Sequence, residues 1–105
     1  MKIIIDIDGV LSEKLVWSIG DSYLRLREML LEIEPNLKVI NKINQLHSEG
    51  HIIILFTGRL WHDYEPTITW LRKHGVEYDE LIMAKPLGDA YIDNKNMSIK
   101  EFLKL

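Results

Sequence analysis

The chain opens with Lys2-Ile3-Ile4-Ile5-Asp6-Ile7-Asp8-Gly9, a β-branched run interrupted near its end by two acids and closed by glycine. A short, continuous apolar run of this kind predicts a strand over Lys2 to Ile7 that is buried on both faces. Carboxylates at the end of such a strand cost free energy unless they are paired or hold a metal. Asp6 and Asp8 are therefore informative. A second run of the same type, His51-Ile52-Ile53-Ile54-Leu55-Phe56, leads directly into Thr57-Gly58-Arg59. Two such strands with helical sequence between them call for a parallel sheet covered on both sides.

Outward from these strands, apolar residues recur at helical spacing from Leu15 to Ile33: Val16, Ile19, Tyr23, Leu24, Leu26, Met29 and Leu30. Gly20-Asp21 is a break within this stretch, and Pro35 stops it. Asn36 is suited to cap a following helix whose face is Leu37, Ile40, Ile43 and Leu46, with Gly50 at its end. Pro66 fits the first turn of another helix, carrying Ile68, Trp70 and Leu71 and closed by Gly75. Leu81 to Met83 is expected as a third strand, broken by Lys85-Pro86, and Ala90 to Ile92 as a fourth, broken by Asp93-Asn94. Ser98 then caps a last helix from Ile99 to Lys104. The predicted fold is α/β, a small doubly wound parallel sheet forming a single domain over residues 1–105.

Composition agrees with one compact domain. The 105 residues are 47% hydrophobic and 28% charged, as in ordinary globular chains, and no apolar run approaches the length needed to span a bilayer. A net charge of −3 argues against a protein held to nucleic acid by a broad basic face. With no cysteine, disulfides and thiolate chemistry are excluded, and any metal must be bound through oxygen or imidazole. The chain enters its first strand without a secretory signal pattern, so a cytoplasmic location is expected.

The polar residues collect at strand ends. Asp6 and Asp8 follow the first predicted strand, Thr57 the second, Lys85 the third and Asp93 the fourth. In an open parallel sheet, ligands bind in the crevice outside the carboxyl ends of the strands. Three carboxylates can hold Mg²⁺, and that ion together with a lysine would offset the charge of a phosphate. One aspartate could attack phosphorus while the second serves as acid and base. The bland alternatives for Asp6 and Asp8 are a solvated turn after the strand and part of a calcium loop, and Ser12 and Glu13 do not supply the ligand register of the latter.

These residues also carry a resemblance. Asp6-Ile7-Asp8-Gly9-Val10-Leu11 resembles the first motif of the haloacid dehalogenase-like (HAD) phosphatases, and Phe56-Thr57-Gly58-Arg59 the second. Lys85 is placed like the third motif, and Tyr91-Ile92-Asp93-Asn94 like the fourth. The stretch from Trp70 to Asn94 is similar to small capless members associated with capsule or sugar-phosphate metabolism, and to the phosphatase half of polynucleotide kinase-phosphatases. The resemblance implies a Mg²⁺-dependent phosphomonoester hydrolase. Asp6 would be nucleophile and metal ligand. Asp8 would be general acid/base, with its carbonyl on the metal. Thr57 and the Gly58 amide would hold the phosphoryl group. Lys85 would balance charge, and Asp93 would complete the metal site.

The fourth motif departs from the common pattern by carrying Asn94 where a second acid often stands. Neither residues 60–84 nor the segment between the first two motifs has room for a folded cap, so the site is expected to be open. Arg59 is read as a contact to phosphate or substrate, or as half of a salt bridge. Trp61, His62 and Tyr64 are read as bordering the site, either stacking on a sugar or base or packing under their loop. His47, His51 and His74 are taken as structural. The stripe from Leu24 to Ile33 is read as core, with a homo-oligomer contact as the alternative. The expected partner is a phosphorylated small molecule, a sugar phosphate or nucleotide, with no membrane. Two other functions compete: a non-catalytic phosphate- or partner-binding HAD-like protein, and a phosphoaspartate receiver domain. A receiver pairs adjacent acids and ends a middle strand with its acceptor, which this order does not match.

Overall fold

The computed structural model describes residues 1–15 and 22–105. Three strands, β1 (Lys2–Ile5), β2 (Ile52–Phe56) and β3 (Glu80–Ile82), form a parallel sheet in that order. Ile3 pairs with Ile53 and Leu55 with Leu81, so the inward side chains of neighbouring strands lie in rows. Between β1 and β2 run α1 (Tyr23–Glu32) and α2 (Leu37–Ser48); α3 (Tyr64–Lys73) links β2 to β3, and α4 (Ile99–Phe102) closes the chain. This is a small Rossmann-like α/β arrangement. Among the described residues, no helix is long and apolar enough to cross a membrane.

The main core cluster is built on the face of the sheet that Ile5, Ile53 and Leu55 present. Ile5, Ile53 and Leu55 pack with Val39, Ile40, Ile43 and Leu46 of α2, Trp70 and Leu71 of α3, and Phe102 of α4. The buried Trp70 indole donates to the carbonyl of Ile33, 2.8 Å away, tying α3 to the end of α1. Asn36 caps α2 as the sequence implied, its side chain accepting from Val39 N. Gly50 and Gly75 follow α2 and α3 with φ of +93° and +64°, the left-handed geometry that closes a helix.

Three expectations need correction. The helix read from Leu15 begins at Tyr23 within the described residues, with Ser22 as its cap; Leu15 is not helical, and the Val16, Ile19 and Gly20-Asp21 readings lie outside the described residues. Cover on the second face of the sheet is partial: Ile54 at its centre is buried at 7%, while Ile4 is 62% exposed and Ile52 and Ile82 are exposed with it. The fourth strand does not form, and Ile92 stands 99% exposed. Its apolar run is only three residues, flanked by Gly88-Asp89 and Asp93-Asn94. Instead of pairing, the segment closes on itself: the Tyr91 hydroxyl donates to Pro86 O and accepts from Gly88 N.

The His74 ring lies 4.5 Å from the Trp70 ring. Burial, and after it the neighbouring Lys73, lower its pKa from 6.5, against a smaller opposing effect of Glu34. The folded chain thus disfavours the charged ring. Its contribution to stability is complete above pH 6.5 and is lost as pH falls through the depressed folded value. Denaturant midpoints measured on either side of that pH should fall on the acid side, and His74→Gln should flatten the difference.

Candidate active site

The carboxyl ends of the three strands converge as the parallel topology requires, and the loops leaving them hold the acids and cations. After β1 the chain turns tightly: the Ile7 carbonyl accepts from the amides of Val10, Leu11 and Ser12, and Gly9 takes a φ of +83°. This turn leaves Asp6 and Asp8 partly exposed while Ile7 between them is buried. Asp6 is steadied by its own neighbour, with Oδ1 accepting from Ile7 N at 2.8 Å.

Each acid has its own cation. Lys85 Nζ lies 3.5 Å from Asp6 Oδ2. Arg59 grips Asp8 through two bonds, Nε to Oδ2 at 3.0 Å and Nη2 to Oδ1 at 2.7 Å. This bidentate geometry is the strong form of the guanidinium–carboxylate pair. The Arg59 side chain is only 3% exposed, and Nη1 donates to Thr67 Oγ1, which in turn donates to Asp63 O. Arg59 thus makes the salt bridge that was one of its two readings.

Thr57 is the junction beneath these groups. Its amide donates to Ile82 O, its carbonyl accepts from Lys85 N, and its Oγ1 accepts from Arg59 N. It is fully buried, so its hydroxyl is a support in this form and not an open contact. Against Gly58 lies Leu87: a Cβ at position 58 would come 2.4 Å from Leu87 Cδ2.

Lys85 is aimed by a strained neighbour. Ala84 has a φ of +61°, among the described residues the one non-glycine in the left-handed region. Such a conformation costs about 1–2 kcal/mol for an L-residue and persists where surroundings over-determine it. Here two 2.8 Å bonds, Ala84 N–H to Arg59 O and Lys85 N–H to Thr57 O, enforce it. The ammonium also sits 4.3 Å from the centre of the Tyr91 ring and 5.6 Å from that of Phe56. Sequence reasoning missed the Ala84 strain and the Tyr91 contact. Neither leaves a local signal beyond their nearness to Lys85 and Asp93.

Asp93 is not brought to the cluster. It is exposed and its Oδ1 accepts from Lys95 N, so the three-carboxylate set of Asp6, Asp8 and Asp93 is not assembled. Among the described residues, no group of three or more acidic or histidine side chains is placed to share a metal. The cause is the missing fourth strand, which would have carried Asp93 to the same sheet edge.

The charges still bear on a cation. Two carboxylates against two cations leave the strand-end cluster formally neutral. A phosphate dianion entering it would be uncompensated unless positive charge came with it. The donors on hand are all oxygen, the type that Mg²⁺ prefers. Asp6, Asp8 and Asp93 match that preference in the kind of donor they carry.

No family model matches the chain, and no curated protein matches it. Solved structures do. A crystal structure of a target protein from Vibrio cholerae is 28% identical over 99% of this chain and 88% of that one, with a TM-score of 0.75. A chain of a Pnkp1/Rnl/Hen1 complex is 30% identical over 89% of this chain and 31% of its own length, with a TM-score of 0.61. A chain of the Pnkp1/Rnl/Hen1 RNA repair complex is 26% identical over 98% of this chain and 30% of its own, again at 0.61. The present chain thus spans about a third of those two, and it shares its α/β fold with all three.

Proposed function

We propose that the chain is a HAD-like phosphomonoesterase that works through an aspartyl-phosphate on Asp6 and requires Mg²⁺. The observation that carries this reading is the strand-end cluster, where Asp6 faces Lys85 at 3.5 Å and Asp8 stands two residues away. The motif order and the likeness to chains of an RNA repair complex support it. Sugar phosphates and nucleotides are the proposed substrates.

In the first step an Asp6 carboxylate oxygen bonds to phosphorus as the bond from phosphorus to the leaving oxygen breaks. A protonated Asp8 passes its proton to that oxygen. In the second step water attacks phosphorus and gives a proton back to Asp8, releasing phosphate and restoring Asp6. Asp8 must first surrender at least one of its two bonds to Arg59. Lys85 offsets charge between Asp6 and the incoming phosphate. Thr57 and the Gly58 amide would receive phosphoryl oxygens with Leu87 displaced from Gly58. Asp6, the Asp8 carbonyl and Asp93 would hold Mg²⁺, which supplies the positive charge that the paired cluster lacks.

That Asp93 forms no metal group with Asp6 and Asp8 among the described residues favours a second reading, a HAD-like protein that binds phosphate or a partner without turnover. One experiment separates the two: phosphate release from p-nitrophenyl phosphate and a panel of sugar and nucleotide monophosphates, with Mg²⁺ and with EDTA. The enzyme reading predicts release that EDTA abolishes and Mg²⁺ restores. Binding with no release from any member would leave the second reading.

A further inference from the structure

The aromatic ring beneath the Lys85 ammonium has no part in the chemistry proposed above. Tyr91 lies in neither a strand nor a helix, and it is half exposed. Its hydroxyl is nevertheless fixed, donating to Pro86 O at 2.8 Å and accepting from Gly88 N at 3.2 Å. Its carbonyl accepts from Asn96 Nδ2 at 3.3 Å. Pro86 follows Lys85 in the chain, so the far end of the ring is tied to the backbone from which the lysine grows. Lys85 Nζ then lies over the ring, 4.3 Å from its centre, with the Phe56 ring centre at 5.6 Å and Asp6 Oδ2 at 3.5 Å.

Burial does not account for this contact. Half of Tyr91 stays in water, and its neighbour Ile92 is 99% exposed. The ammonium, by contrast, needs holding. Lysine carries its charge on a flexible four-carbon stem, and fixing that stem costs rotamer entropy. The strained Ala84 sets where the side chain starts but not where its head ends. Asp6 is partly exposed, and a water-screened ion pair holds a lysine only weakly. A π face attracts an ammonium through the ring quadrupole, more strongly as the ammonium loses water, and the Lys85 side chain is only 19% exposed. The ring also differs from a second carboxylate. It holds the charge without cancelling it, and leaves the three N–H donors to oxygen acceptors. In a cluster whose acids and cations already balance, a further acid would repel phosphate.

We infer that Tyr91 is a positioning residue whose ring holds the Lys85 ammonium beside Asp6, uncancelled in charge and ready to receive a phosphate oxygen. The inference rests on the proposed site for the identity of the ligand and on the Tyr91–Lys85 geometry for the holding.

The test compares the intact chain, labelled with ¹³C at the lysine ε-carbons, with Tyr91→Leu and Tyr91→Phe by NMR; Lys85→Gln identifies the resonance. Ring current should set the Lys85 ε-protons upfield of those of the other lysines. They should move back toward them in Tyr91→Leu and stay shifted in Tyr91→Phe, which keeps the ring and gives up the hydroxyl bonds. Inorganic phosphate is then titrated into each protein with Mg²⁺, and release from p-nitrophenyl phosphate is measured alongside. Phosphate affinity and kcat/KM should each fall roughly 2- to 30-fold in Tyr91→Leu, the equivalent of about 0.5–2 kcal/mol of cation–π attraction, and Tyr91→Phe should retain the larger part of both. In a Lys85→Gln background, Tyr91→Leu should weaken phosphate binding no further, because the ring has no ammonium to hold. Additive losses in that background, or equal losses in Tyr91→Leu and Tyr91→Phe, would make Tyr91 a loop tie and overturn the inference. A Lys85 resonance that Tyr91→Leu does not move would overturn it too, as would a phosphate affinity that is unchanged or absent from the start. Release absent from every protein, with resonance and affinity behaving as expected, would defeat the phosphatase reading and leave the role of Tyr91 standing.

Discussion

Asp6→Asn should lower phosphate release by at least about 10⁴-fold, the scale on which enzymes lose activity when a covalent nucleophile is removed. The substitution is nearly isosteric, and the amide oxygen can still accept from Ile7 N as Oδ1 does at 2.8 Å. What disappears is the anionic oxygen that faces Lys85. Because that pair is partly exposed, its loss should change stability by no more than about 1 kcal/mol. The expected signature is therefore a folded, inactive chain. Substrate turnover close to that of the unsubstituted chain would remove Asp6 from the chemistry.

Arg59→Met should be the most damaging single change to the fold at the site. The guanidinium is buried, and its removal takes from the Asp8 carboxylate the two bonds Arg59 makes to it and leaves Thr67 without that donor. Removing one member of a buried ion pair costs on the order of 3 kcal/mol. In a domain of this size that corresponds to a fall in Tm of roughly 12–24 °C. The cause can be isolated by a double-mutant cycle. If the stranded charge is the source, Asp8→Asn together with Arg59→Met should be less destabilised than the sum of the single changes. Strict additivity would mean that Arg59 matters through packing and that its bonds to Asp8 contribute little.

The parts of this structure that local pattern governs were legible before any coordinates. β1 and β2 follow from unbroken β-branched runs, the start of α2 from Asn36, and the ends of α2 and α3 from Gly50 and Gly75. Each depends on contacts within a few residues. The convergence of Asp6, Asp8, Thr57 and Lys85 was legible for a different reason: parallel strands necessarily present their carboxyl ends to one edge. What escaped depends on distant partners. Asp8 and Arg59 are 51 residues apart, and nothing near either one identifies the other as its partner. The fourth strand failed for a related reason. Ala90 to Ile92 has strand-forming residues, but three positions between turn formers gain too little from pairing, and Tyr91 finds partners at Pro86, Gly88 and Lys85 instead. Asp93 stays with that segment, so the metal set read from the motif order is the least realised part of the site.

The central claim, that phosphate passes through Asp6, is tested most directly by trapping the intermediate. The chain would be mixed briefly with Mg²⁺ and its best substrate from the panel, quenched in acid, digested and analysed by peptide mass spectrometry. The account predicts that the peptide containing Asp6 gains the mass of one phosphoryl group, that hydroxylamine removes it, and that Asp6→Asn never acquires it. Turnover with no phosphoryl group on Asp6, or with the label on another residue, would contradict the account.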